Sequence, residues 1–184
     1  MVRQLTARAA LRTATHDIHE RMHRHPALSR LAAGTIGRDE YRHVLARSYG
    51  FYAMAEPVLG LGGRLTQCLR DDLTELGMTL AAIDDLPRCA PLAIGGDQAE
   101  LVGARYVLLG ATLGGKVMAR AIAGRTDGDA TLPVHFLTGT GDTEWKIFAT
   151  DLEKSLPDTA SRTRAAKVAS AVFAAYEEWM TWHD

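Results

Sequence analysis

The sequence predicts an all-α protein: one domain over residues 1–184, folded as a multi-helical bundle. Three observations carry this expectation. Apolar residues recur at spacings of three and four along several stretches, the period of an amphipathic helix. No stretch alternates apolar and polar residues for long enough to make a half-buried strand. Pro, Gly and capping residues mark most boundaries between the periodic stretches, as helix punctuation does, with Pro57 and the glycines of one long stretch as exceptions. There is no internal repeat and no low-complexity linker, so nothing divides the chain.

Taken in order, Thr6 to His25 reads as the first helix. Leu11, Thr15, Ile18 and Met22 form its apolar stripe, and Pro26 ends it. Ala27 to Ala33 reads as a short helix closed by Gly34. Gly37 to about Arg64 reads as the second long helix, with Tyr41, Val44, Leu45, Tyr49, Phe51 and Tyr52 supplying bulk. Pro57 is a point of kinking, and Gly60, Gly62 and Gly63 loosen the end. Leu69 to Leu86 reads as a further helix, stopped at Asp84, Asp85 and Pro87. Arg88 to Gly96 is a loop, and Asp97 is suited to cap the next helix.

That helix contains the most informative stretch of the chain, Arg105 to Gly124 (RYVLLGATLGGKVMARAIAG). Val102, Tyr106, Leu109, Leu113 and Val117 give it a core-facing stripe. Yet it carries Gly110, Gly114 and Gly115, with Gly103 earlier. Each interior Gly costs about 0.8–1 kcal/mol against Ala, so four cost roughly 3–4 kcal/mol. Two reasons would justify that cost: close packing of another helix, or a flat ligand lying directly on bare backbone. The spacing is not that of a phosphate loop.

Arg125 to Ala130 is a polar turn. Leu132 to Leu137 is short and apolar, and its period does not separate strand from helix. Thr138 to Gly141 reads as a loop, with Asp142 or Thr143 capping a helix from Glu144 to Leu156. Pro157 stops that helix. Asp158 or Ser161 caps a last, Ala-rich helix to about Trp182.

Composition narrows the function. With 47% hydrophobic and 23% charged residues the chain is an ordinary globule. A net charge of −1 provides no global field toward nucleic acid or an anionic membrane. Met1 to Ala10 has no continuous apolar core, and no run of about 18 apolar residues occurs, so a cytoplasmic protein without membrane insertion is expected. Cys68 and Cys89 show no CxxC spacing and are expected to be free thiols.

Among chemistry-bearing residues, His19 lies at the edge of the first helix's stripe. Arg12 stands two turns before it, and His16 and His23 lie within a turn. Taken alone, such a His is a structural residue more often than a ligand. Three histidines could hold a divalent metal, but no HExxH or ExxH pair accompanies them. There is no GxSxG elbow. Asp71–Asp72 and Asp84–Asp85 read as solvated surface and cap. Together, however, a His and a cation on one helix and a glycine-lined apolar face on another suit a flat, hydrophobic, anionic ligand. Neutral imidazole is a good axial ligand for heme iron, and guanidinium suits its propionates.

At these residues the chain resembles the heme oxygenase family. LRTATHDIHERMH (Leu11–His23) is similar to the helix that carries that family's proximal His. RYVLLGATLGG (Arg105–Gly115) is similar to its distal helix. FLTGTGDTEWKIFATDLEKSL (Phe136–Leu156) resembles the next segment of the bacterial, bacteriophytochrome-linked subgroup. The resemblance implies that His19 is the iron ligand and that Gly110, Gly114 and Gly115 form the backbone over heme and oxygen. It further implies that Arg12, with Lys146, binds propionates. Two positions depart from the family pattern. Ala111 replaces an Asp found after the first distal Gly in animal-type enzymes, which leaves Thr112 or ordered water to serve the proton supply. His23 stands where many relatives have a Glu beside the proximal imidazole.

The function so implied is opening of heme, both substrate and cofactor, to biliverdin, carbon monoxide and ferrous iron. It uses O2 and an external electron donor such as a ferredoxin or a flavoprotein reductase. A bacteriophytochrome is a possible biliverdin acceptor on family analogy. Two alternatives remain open from sequence: a non-degrading heme carrier or sensor, and a heme-free bundle.

Overall fold

The structure is a computed structural model, and it describes residues 5–124, 131–139 and 141–181. The described residues form α1 (Ala7–His23), α2 (Pro26–Ala32), α3 (Arg38–Leu59), α4 (Arg64–Glu75), α5 (Leu80–Asp84), α6 (Gln98–Ala123), α7 (His135–Thr138), α8 (Gly141–Ser155) and α9 (Thr159–Met180). The predicted turn at Arg125 to Ala130 lies outside them, as does Trp182.

Helix starts follow their caps. The Thr6 hydroxyl accepts from Ala9 N, the Asp97 carboxylate from Ala99 N, and Asp158 and Ser161 form a reciprocal capping box. Both residues considered for the last cap therefore act together. Pro26 does not sit in a gap after α1; it occupies the first turn of α2, where its missing N–H costs nothing.

Glycines at positive φ redraw two boundaries. Gly60 (φ 62°) caps α3 at Leu59, five residues short of the expected Arg64, and Arg64 instead opens α4. The helix expected over Leu69–Leu86 is broken at Gly77 (φ 91°) into α4 and α5, because that φ is one few side chains tolerate. Leu132–Leu137 resolves into irregular chain followed by α7, and α8 starts at Gly141, inside the expected loop.

α1 and α6 both pack along α9 but make few contacts with each other. That leaves a space between them, closed by α3 and α7. Cross-links fix α1 in place. Arg21 makes a bidentate pair with Glu177 of α9 (2.6 and 2.7 Å), and Ser170 Oγ donates to Ala14 O. Glu153 of α8 accepts from Ala7 N and Arg8 N (3.0 and 3.3 Å). α1 has no acidic residue in its first turn, so Glu153 serves its positive end from a neighbouring helix.

The expected stripe on α6 is only half correct. Val102 and Leu109 are buried, but Leu113 is 39% and Val117 59% exposed. The lower half buries Leu108, Thr112, Gly115, Ala119 and Ile122 instead. The helical period holds; the apolar stripe is wider than one core, with Leu113 lining the space between α1 and α6 and Val117 exposed. α6 is the one described helix long and apolar enough to cross a bilayer, yet here it packs against α2, α7, α8 and α9.

Candidate heme site

The space between α1 and α6 is a cavity of about 740 Å³, within the range of roughly 300–1,000 Å³ typical of small-molecule and cofactor sites. α1 supplies one wall. Arg8, Arg12, Thr15, His16, His19 and His23 all line it, because steps of three and four keep returning to the same side of a helix.

His19 is the middle one of three imidazoles on this wall. Burial, and next the neighbouring His23, push its pKa below 6.5, with Glu20 acting the other way; it is therefore neutral near pH 7 and able to donate a lone pair. Its Nδ1 lies 3.7 Å from Glu20 Oε1, and the His23 ring meets it edge-on with centroids 4.4 Å apart. Phe173 of α9 packs edge-on at 6.3 Å.

α6 supplies the other wall, and its four glycines do two different jobs. At Gly103 a Cβ would lie 2.8 Å from the Ala165 carbonyl carbon of α9, and at Gly115 2.6 Å from Leu137 O of α7. These two permit close backbone packing. A Cβ at Gly114 would meet nothing within 4 Å, and one at Gly110 only the Trp145 ring at 3.6 Å. Both line the cavity, as does Ala111. Gly115 lines the cavity as well, so close packing accounts for Gly103, the cavity for Gly110 and Gly114, and Gly115 serves both.

Thr112 is 7% exposed and lines the cavity, but its Oγ1 donates to Leu109 O at 2.6 Å. Its proton is engaged by the helix itself, so the hydroxyl faces the cavity as an acceptor. Tyr106 of α6 and Thr15 of α1 line the cavity at the end near Arg8 and Arg12. Burial pushes the Tyr106 phenol up, while both arginines draw it down.

Three comparisons bear on what this cavity is for. No family model matches the chain. A protein named heme oxygenase from Xanthomonas campestris pv. campestris (strain 8004) is 32% identical, over 78% of this chain and 90% of the relative. The chain belongs to the heme oxygenase family. The crystal structure of heme oxygenase-1 from the cyanobacterium Synechocystis sp. PCC6803 in complex with heme has the same fold, with a TM-score of 0.63 and 19% identity. That match covers 95% of this chain and 90% of the other.

The residues present fit a heme. A neutral imidazole, largely apolar walls and a stretch of bare glycine backbone meet in one cavity, with two guanidinium groups on the α1 wall. Among the described residues no cluster of three or more His, Cys, Asp or Glu could hold a metal ion directly, so the three-histidine metal site has no structural counterpart. Lys146 is exposed on α8 and does not line the cavity; Trp145 beside it does. Arg8 does line it. The sequence reading passes over Arg8, although it lies one turn before Arg12 and the same spacing that selects Arg12 would find it.

Asp72 corrects a second reading. It is fully buried rather than solvated, and it accepts from His135 N and Phe136 N. Asp71 and the Asp84–Asp85 pair are exposed, with Asp84 held by Arg70. Cys68 and Cys89 are free thiols, pushed up by burial, and neither lines the cavity.

Proposed function

We propose that the cavity binds heme between α1 and α6 and that the chain opens it to biliverdin, carbon monoxide and ferrous iron. The observation that carries this reading is the pairing of a neutral His19 on one wall with the open Gly110 and Gly114 backbone on the other. Bound heme supplies the iron that activates O2 and the meso carbon that is oxidised; the protein contributes binding, orientation and electrostatics.

His19 holds the iron through a neutral nitrogen. The Glu20 carboxylate, 3.7 Å from Nδ1, favours a proton on that nitrogen electrostatically and so leaves Nε2 for the metal. Gly110 and Gly114 let the flat substrate approach the backbone of α6. With Ala111 and an acceptor-only Thr112 on that wall, the proton supply runs through ordered water rather than through a side-chain acid on these positions.

Arg12 and Arg8 pair with the propionates and fix the in-plane rotation of the macrocycle. Lys146 serves only if its long side chain reaches the rim of the site, and Arg8 is better placed. The electron donor is a ferredoxin or a flavoprotein reductase. Within this reading the protein is cytoplasmic, and the likeness of its quoted segments to the bacteriophytochrome-linked subgroup makes a photoreceptor the biliverdin acceptor.

The test is His19→Ala. Hemin added to the wild type should give the Soret and visible bands of an axial imidazole complex, and the variant should lose them until free imidazole is added. Unchanged spectra in the variant would remove His19 as the ligand.

A further inference from the structure

α7 has only four residues, far too few to be stable alone, yet Phe136 and Leu137 line the cavity. It is held from outside. The Asp72 carboxylate of α4, itself not part of the cavity wall, accepts from His135 N at 2.8 Å and Phe136 N at 2.9 Å. These are two of the first-turn donors a helix cannot satisfy internally. Tyr41 OH donates to Pro133 O at 2.8 Å just upstream. At the surface His135 Nε2 meets Glu75 Oε1 at 2.7 Å. On its far side α7 bears on α6, with the Leu137 carbonyl against Gly115.

Burying a carboxylate with 0% exposure is costly, and a residue serving only to fill this core would be apolar. What the charge achieves is a fixed height for α7. We propose that Asp72 is a positioning residue for the substrate: by pinning the start of α7 it sets the Phe136–Leu137 wall against the Gly114–Gly115 backbone and so selects one seating of heme. This rests on the reading of the cavity as a heme site.

Glu56 provides an internal control. It is just as buried, at 1% exposure, and accepts from Leu65 N, Thr66 N and Thr66 Oγ1. It clamps α4 in the same manner, but α4 contributes no residue to the cavity wall.

The experiment compares wild type, Asp72→Asn and Glu56→Gln. Amide exchange is measured on the heme-free proteins, and the heme methyl resonances on the hemin–cyanide complexes. An Asn oxygen can serve one of the two N–H groups, so Asp72→Asn should speed exchange at His135 and Phe136 roughly tenfold or more. It should also split the heme methyl signals into more than one set. Glu56→Gln should speed exchange at Leu65 and Thr66 and keep a single set. A single, wild-type set in Asp72→Asn would overturn the inference. If that variant does not fold, Tyr41→Phe, which removes only the tie at Pro133, should show a second set, and a single set there would overturn it equally. A wild type that forms no Soret band with hemin would instead overturn the heme reading and this inference with it.

Discussion

Gly114→Ala separates a glycine kept for function from one kept for packing. Gly114 lies inside α6, and a Cβ there would meet nothing within 4 Å. The substitution therefore carries no steric penalty in the heme-free protein and recovers about 0.8–1 kcal/mol of helix propensity. In a domain of this size that raises Tm by about 2–4 °C. The added methyl occupies the surface on which the substrate is proposed to lie, so heme breakdown should slow even as the protein gains stability. Gly103→Ala should behave oppositely. Its Cβ would fall 2.8 Å from the Ala165 carbonyl carbon and closer still to the oxygen, and backbone cannot rotate away. Overpacking of this kind costs about 1–3 kcal/mol, more than the helix regains, so Tm should fall. The assay is thermal unfolding by circular dichroism on heme-free protein, paired with the rate of Soret loss under ascorbate in air. A Gly114→Ala protein that is less stable than wild type, or that degrades heme at the wild-type rate, would refute the division of the glycines.

Other perturbations have equally definite outcomes. Glu153→Ala should lower stability by about 1 kcal/mol, the worth of a helix cap, because Ala7 N and Arg8 N lose their acceptor; equilibrium urea unfolding reads this directly. The hydrogen bond to Glu75 raises the His135 pKa above 6.5. Its contribution is therefore complete below the unfolded value and is lost as pH rises through the higher folded value. Wild-type stability should decline more steeply than that of Glu75→Gln as pH rises from below 6.5, and equal slopes would show that the pair contributes nothing.

Much of this is legible in the chain. Helix periodicity finds the long elements, and Asp97 and Asp158 mark two starts because a cap is a local interaction written in adjacent residues. His19, Arg12 and the glycine segment can be linked because each lies on its helix at a spacing set by the 3.6-residue turn. What escapes the sequence depends on partners distant along the chain. Asp72 looks like a surface acid until His135 and Phe136, more than sixty residues on, bring their N–H groups to it. The division of the α6 glycines depends on what approaches each one: Ala165 and Leu137 at two, open cavity at Gly114. Lys146 is placed by resemblance alone, and the helical phase of α8 turns Trp145 inward and leaves the lysine exposed.

The central claim is that the space between His19 and the Gly110–Gly114 backbone binds heme in order to degrade it. The direct measurement is titration of the purified protein with hemin, then addition of a reductant in air with spectra recorded throughout. The account requires saturation at one heme per chain, then loss of the Soret band as a biliverdin band grows. A stable Soret band that persists under both ascorbate and a ferredoxin reductase system would contradict it and leave a protein that holds heme without opening it.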